Sequence, residues 1–149
     1  MLKEYSLKGK TAIITGSGHG IGKAIALAFA EAGADLAVVA RTASEIETTA
    51  AEVRNMGRRA IAIPADVTKE DQVEAIIEKA IAEFGRIDIL VNNVGWARLK
   101  PLLPTPGMRT NVPGEAEPTR ISLEEWHRHI DINLTSVFLC CRAIGPHML

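Results

Sequence analysis

Four glycines within eight residues, placed between an apolar run and a helical pattern, constrain the fold of this chain most strongly. Residues 11–14 are apolar or β-branched, residues 15–22 carry the glycines, and an apolar helical period follows to Ala32. A glycine-rich turn after a strand lets the backbone approach a diphosphate, and the next helix points its positive dipole end at that charge. This layout predicts a dinucleotide-binding βαβ unit. Because Ile21 breaks the common G-x-G-x-x-G spacing, a tight turn without a ligand is the alternative for this motif alone.

Strand-like and helical patterns alternate along the rest of the chain. The short apolar runs are typical of strands covered on both faces, and several helical periods end at a glycine. The predicted strands are 11–15, 36–40, 60–64 and 87–91, and the predicted helices are 21–32, 44–56, one capped by Thr68 that runs to Phe84, and 122–142. The alternation predicts an α/β fold, a Rossmann-like doubly wound parallel sheet, incomplete with about four strands in the order 3-2-1-4. The length predicts a single domain over residues 1–149.

Residues 96–121 interrupt this alternation. They hold five prolines and two glycines without a sustained period, which predicts a long loop that borders the substrate. Its basic residues Arg98, Lys100, Arg109 and Arg120 are candidates for contacting an acidic substrate, and scattered solvated charge is the simpler interpretation. After the loop, Ser122 and Glu125 form a capping-box pattern that predicts the start of the last helix, and the tail 144–149 is expected to end it.

Composition argues against several functional classes. The formal net charge is −1 with both signs dispersed, so the sequence predicts no surface for nucleic acid or an anionic membrane. No apolar run is long enough to span a bilayer and the first residues do not resemble a signal peptide, so a cytoplasmic protein is expected. Cys140 and Cys141 are predicted to be reduced, and His127 and His129 point to different helix faces, so no metal site is expected.

Four motifs, in order along the chain, resemble the cofactor signature of the short-chain dehydrogenase/reductase family. They are Thr15-Gly-x-x-x-Gly-Ile-Gly22, Asp66-Val67 after the third strand, Asn92-Asn93-Val94-Gly95 after the fourth, and Asp131-Ile132-Asn133-Leu134 in the last helix. The resemblance covers residues 11–146. Within the third motif, Val94 replaces the alanine that is more common in the family. A methyltransferase shares the glycine-rich turn but would not explain the second and third motifs.

The resemblance implies a role for each matching residue. The residues expected around the pyrophosphate are Gly16, Ser17, Gly20, Ile21 and Gly22. Asp66 is expected to accept a hydrogen bond from the adenine amino group, with Val67 packed on the ring; a cap of the following turn is its alternative role. Asn92 and Gly95 are expected to lie against the adenosine ribose, and Asn93 to tie the fourth strand to its neighbours.

The choice between NADP(H) and NAD(H) depends on the end of the second strand. An acidic residue there binds the ribose 2′-hydroxyl, whereas an arginine accommodates a 2′-phosphate. This strand ends in Arg41 with no carboxylate beside it, and a guanidinium pairs with phosphate through several directed donors. We therefore predict a preference for NADP(H), with NAD(H) also possible. His19, a basic residue in the glycine loop, supports this choice weakly, and a solvated surface charge is the alternative role of Arg41.

The catalytic residues that the resemblance implies are only partly present. Asn133 matches the family's catalytic asparagine, whose backbone helps hold a water in the proton relay; a satisfied core asparagine is the alternative. Family members transfer hydride between a nicotinamide cofactor and a carbonyl or alcohol substrate, with a tyrosine, a lysine four residues later and a serine handling the proton and the substrate. The single tyrosine here is Tyr5, followed at i+4 by Gly9, and no Tyr-x-x-x-Lys segment occurs.

These observations predict the cofactor-binding part of a reductase of this family, as a truncated product or fragment that is inactive alone. The alternative is a non-catalytic nucleotide-binding or redox-sensing module that acts with a partner chain. The fourth strand would be an open edge, and the last helix is apolar on most of its faces. Both features predict self-association.

Overall fold

The structure, a computed structural model, describes residues 5–109, 114 and 117–148. Strands and helices alternate up to the fourth strand, as the sequence predicts. The elements are β1 (Thr11–Thr15), α1 (Gly20–Ala32), β2 (Asp35–Ala40), α2 (Ala43–Asn55), β3 (Ala60–Pro64), α3 (Glu70–Phe84), β4 (Ile89–Val91), α4 (Leu123–Ile130) and α5 (Ser136–Met148). A single π-helical turn, Asp131–Thr135, joins α4 to α5. Within the described part of the chain, no helix is long and apolar enough to cross a membrane.

The four strands form one parallel sheet in the order β3-β2-β1-β4, which confirms the predicted order. In the register of the ladder, Ile14 of β1 pairs with Val38 of β2 on one side and with Val91 of β4 on the other. The connection from β1 runs outward to β2, whereas β4 returns to the opposite side of β1. Ligands of open α/β sheets bind beside the carboxyl ends of the strands at such a reversal. The topology therefore predicts a ligand site at the loops after β1 and β4.

Both faces of the sheet are covered, which explains why its strands are apolar throughout. Ala12, Ile14 and Val38 pack with α1 and α2 on one face. On the other face, Ile13 and Val39 pack with α3 and α5. Successive strand residues point to opposite faces, so burial on both sides removes the polar alternation of a half-exposed strand.

Two helix ends differ from the sequence prediction. Thr68 does not cap α3, because its N–H and hydroxyl both donate to Asp66 Oδ1, at 3.0 and 2.8 Å. Lys69 is the N-cap instead and makes no side-chain capping bond. At the other end of the chain, α5 continues to Met148 through Pro146 instead of ending near Arg142. Ile144 is buried in the same core cluster as residues of α3, and Pro146 lies in the last turn of α5, where its missing N–H removes one backbone hydrogen bond.

Candidate functional site

A cleft of about 860 Å³ lies at the carboxyl edge of the sheet. It is lined by residues that follow each of the four strands and by one side of α4. Eight of the residues predicted for the cofactor line it: Gly16, His19, Ile21, Gly22, Arg41, Asp66, Val67 and Gly95. The structure therefore brings together residues from three separate motifs and the end of β2.

The glycine turn packs against the start of α1 without room for side chains. A Cβ built on Gly22 would lie 2.1 Å from the Gly16 carbonyl oxygen, and Gly16 itself has a φ of +67°. The N-cap of α1 is His19, whose side chain makes no capping bond. The first N–H groups of α1 thus face the cleft with no side-chain acceptor from the N-cap, and the helix dipole adds positive potential there. This geometry fits a diphosphate.

Asn93 ties the turn after β1 to the end of β4. Its Nδ2 donates to the carbonyl oxygens of Thr15 and Gly16, at 3.0 and 3.2 Å, and its backbone N–H donates to Thr15 Oγ1 at 3.0 Å. The Thr15 hydroxyl in turn donates to the Val91 carbonyl oxygen at 3.2 Å. These bonds join β1 and β4 where β4 ends, and they fix the glycine turn relative to Gly95.

Four predicted site residues lie outside the lining of the cleft: Ser17, Gly20, Asn92 and Asn133. The Ser17 side chain is fully buried, where its hydroxyl donates to the Ile14 carbonyl oxygen at 2.9 Å and accepts the Val39 N–H at 2.9 Å. Gly20 begins α1 with a φ of +55°. Asn92 turns away toward α5, where its Nδ2 donates to Cys141 Sγ at 3.5 Å.

Asp66 and Arg41 both line the β3–β2 end of the cleft, and the charge of Arg41 acts on the Asp66 carboxylate. Partial burial acts to raise the pKa of Asp66, but hydrogen bonds from Thr68 and the charges of Arg41 and Lys69 outweigh it and lower that pKa. Asp66 Oδ1 is occupied by Thr68, as the turn-cap interpretation predicts. Its Oδ2 accepts no hydrogen bond from the residues that the structure describes, so an acceptor is left for a ligand. Both roles of Asp66 are therefore compatible.

Trp96 is a lining residue that the sequence reasoning missed, and it holds the start of the long loop against α4. Asn133 Nδ2 donates to the Trp96 carbonyl oxygen at 2.7 Å, and Asn133 Oδ1 accepts the Trp96 N–H at 3.0 Å. The Arg128 guanidinium lies 4.4 Å from the centre of the indole ring, and the His129 ring centre lies 4.5 Å from it. The Asn133 side chain thus positions the loop, and it lies in the π-helical turn. A tryptophan directly after Gly95 was the available signal.

Two of the four basic residues of the loop, Arg98 and Lys100, pair with α4 and do not line the cleft. Lys100 has a side chain only 10% exposed, and its Nζ lies 2.9 Å from Glu125 Oε1, with Arg98 at 3.7 Å from the same atom. Glu125 also closes the predicted capping box with Ser122. The Ser122 N–H and the Lys100 ammonium lower the pKa of Glu125 to about 2. Pairing with α4 therefore accounts for these two charges.

Comparison with known proteins identifies the family. The family described as short chain dehydrogenase matches residues 10–149. The chain belongs to the short-chain dehydrogenase family. It is 38% identical over 145 residues to a 3-oxoacyl-acyl-carrier-protein reductase of Synechocystis sp., covering 97% of this chain and 52% of that protein. It is 37% identical over 144 residues to glucose 1-dehydrogenase 2 of Bacillus subtilis, covering 96% of this chain and 50% of that one.

Solved structures of the family share the fold. A 7α-hydroxysteroid dehydrogenase, complexed with NADH and 7-oxo glycochenodeoxycholic acid, superposes with a TM-score of 0.84 at 33% identity, over 98% of this chain and 51% of that chain. The chain therefore has the Rossmann-like fold of a family of oxidoreductases that bind NAD(P). It spans about half the length of the curated relatives that it matches.

Proposed function

We propose that this chain is the cofactor-binding part of an oxidoreductase that transfers hydride between NADP(H) and a carbonyl or alcohol substrate, and that residues 1–149 act as one domain. The observation that carries the proposal is the cleft, in which the glycine turn, Arg41, Asp66 and Gly95 face one space. When bound, the nicotinamide supplies or accepts the hydride. The residues of this chain bind and orient the cofactor.

The residues present fit the adenosine and pyrophosphate parts of such a cofactor. The turn from Gly16 to Gly22 and the start of α1 would hold the pyrophosphate, because close backbone approach and the helix dipole favour that charge. Asp66 Oδ2 would accept the adenine amino group, and Val67 would pack on the ring. Gly95 would lie against the adenosine ribose.

Arg41 is the basis for proposing NADP(H) over NAD(H). Its side chain is exposed, lines the cleft after β2, and makes no hydrogen bond or ion pair within residues 5–109, 114 and 117–148. A guanidinium in this place is available to a 2′-phosphate, and charge-assisted bonds of this type are stronger than neutral ones. Its charge already reaches Asp66, since it helps to lower the pKa of that carboxyl group.

Cofactor titrations of an Arg41→Asp variant test this preference. We expect the wild-type chain to bind NADPH more tightly than NADH, and the variant to bind NADPH about tenfold or more weakly, with little change for NADH. Arg120→Asp, at an exposed loop position outside the cleft lining, is the control for the same change of net charge. A variant at Arg41 that binds NADPH as well as the wild type would refute the NADP(H) preference.

We propose that a polypeptide of these 149 residues binds the cofactor without turnover. Proton transfer to a carbonyl oxygen needs a positioned group with a suitable pKa within hydrogen-bond reach. The only tyrosine of the sequence is Tyr5, and no lysine follows it at i+4. Steady NADPH oxidation with a carbonyl substrate by the purified polypeptide would overturn this statement.

Self-association through the last helix and the sheet edge is also proposed. Three apolar side chains are exposed: Trp126 of α4 at 49%, Leu134 of the π-helical turn at 62% and Phe138 of α5 at 57%. In addition, β4 lies at an edge of the sheet. Exposed apolar patches and open edges favour association.

The cytoplasm is the proposed location of the protein. Both cysteines are free thiols, which fits a reducing compartment.

A further inference from the structure

A carboxylate that sequence reasoning did not single out lies at the end of the cleft proposed for the ribose 2′ position. Glu45 is in the first turn of α2, four residues after Arg41, and it lines the same cleft. Its side chain rests on the glycine turn: a Cβ added to Gly18 would lie 2.8 Å from Glu45 Oε2 and 3.0 Å from Glu45 Cβ. The absence of a side chain at Gly18 thus leaves room for the carboxylate beside the turn.

Glu45 differs from two other glutamates of α2 in its charge pairing. Among the described residues, no side chain forms an ion pair or a hydrogen bond with its carboxylate, although Arg41 lines the same cleft. Two other glutamates of α2 are paired, Glu47 with Arg54 and Glu52 with Lys23, each at 2.7 Å. The carboxylate of Glu45 is therefore a charge that the fold leaves facing the ligand space.

We infer that Glu45 is a specificity-determining residue, whose carboxylate opposes the 2′-phosphate that Arg41 attracts. The balance between the two side chains then sets how strongly the cleft prefers NADP(H) over NAD(H). This inference rests on the proposed function, since it assumes that the dinucleotide binds in this cleft with its adenosine ribose beside β2.

NADPH and NADH differ only in the 2′-phosphate, so a charge that acts at this position changes the affinity for NADPH and leaves that for NADH nearly constant. A unit charge several Å from a phosphate, partly screened by water and salt, changes the affinity by about three- to tenfold. The effect should shrink as the salt concentration rises.

The test uses Glu45→Gln in the 149-residue chain, with dissociation constants for NADPH and NADH measured by fluorescence titration at low and high salt. We expect NADPH to bind about three- to tenfold more tightly at low salt and NADH to change less than twofold. Glu47→Gln, the same change on the same helix but outside the cleft, should alter neither constant. Glu45→Asp keeps the charge and should keep NADPH affinity close to that of the wild type.

Each other outcome overturns the inference. Unchanged NADPH affinity in Glu45→Gln would mean that the carboxylate does not act on the 2′-phosphate, and an equal gain for both cofactors would mean a general effect on the cleft. Weaker NADPH binding would mean that Glu45 supports the site instead of opposing the phosphate. Far-UV circular dichroism and thermal melting of each variant show whether α2 has formed. Failure of the proposed function looks different, because the wild-type chain would then bind neither cofactor.

Discussion

Replacing Gly22 by alanine tests whether steric fit at the glycine turn or helix propensity determines the stability at this position. Gly22 is in the first turn of α1, where alanine is the better helix former by about 1 kcal/mol. Propensity alone therefore predicts a more stable variant. The structure predicts the opposite, because the new Cβ would lie 2.1 Å from the Gly16 carbonyl oxygen and 2.5 Å from Asn93 Nδ2.

The magnitude follows from these distances. A carbon and a carbonyl oxygen pack at about 3.3 Å, so the turn and α1 have to separate by about 1 Å. Such overpacking costs about 1–3 kcal/mol, and weakening the bond from Asn93 to Gly16 adds about 1 kcal/mol. After the gain from propensity, we expect Gly22→Ala to lower the free energy of unfolding by about 1–3 kcal/mol. For a chain of this length, the melting temperature then falls by about 3–10 °C.

Thermal and urea unfolding followed by circular dichroism measure the effect, and NADPH titration of the folded variant should show weaker binding. Gly145→Ala is the matched control, because Gly145 lies inside α5 and a Cβ there meets nothing within 4 Å. That variant should be more stable by about 0.5–1 kcal/mol. If Gly22→Ala melts at or above the wild-type temperature while Gly145→Ala behaves as expected, the steric reasoning is wrong.

Three further predictions concern other parts of the molecule. Asn133→Ala should release Trp96 from α4, changing its fluorescence and lowering the free energy of unfolding by about 1–3 kcal/mol in urea titrations. Burial acts to raise the pKa of Asp88, but hydrogen bonds from Arg86, Thr11 and Lys10 outweigh it and lower that pKa to about 2. The stability that Asp88 contributes is therefore complete above about pH 4 and is lost as the pH falls toward 2, so Asp88→Asn should flatten the pH dependence of the urea midpoint in this range. Phe138→Asp should shift the chain toward monomer in sedimentation velocity experiments.

The three predictions are checked by control variants or by a measurement on the wild type, and each can be contradicted. Asn55→Ala, at the exposed end of α2, controls for loss of an amide, and an Asn133→Ala variant with wild-type Trp fluorescence would contradict the role in the loop. Asp71→Asn controls for loss of a carboxylate, and equal acid sensitivity of Asp88→Asn and the wild type would contradict the linkage argument. A wild-type chain that already sediments as a monomer would contradict self-association.

The sequence predicted the fold because its signals were local and repeated. Apolar strands alternating with helical periods required a sheet covered on both faces, and the order β3-β2-β1-β4 follows from the family topology. The errors were at the ends of elements: β4 begins at Ile89 instead of residue 87, and two helix ends differ. Thr68 was predicted as the N-cap of α3, yet its hydroxyl donates to Asp66, two residues earlier. This side-chain hydrogen bond competes with capping, and hydrophobic periodicity does not reveal it. The helix predicted to end near Arg142 continues because Ile144 is buried against another element.

The sequence by itself determined which backbone segments lie at the carboxyl edge of the sheet. These are the glycine turn, where Gly16 and Gly22 leave no room for a side chain, and the motif residues such as Asp66 and Asn93 that follow β3 and β4 within two residues. Tertiary structure alone decided which further side chains share the cleft. Glu45 faces it because α2 packs beside the glycine turn, and Trp96 lines it because Asn133, Arg128 and His129 hold the loop against α4. Such contacts join residues up to 37 positions apart in the sequence. The direction in which each side chain points depends on packing between elements, which local patterns of residues do not encode.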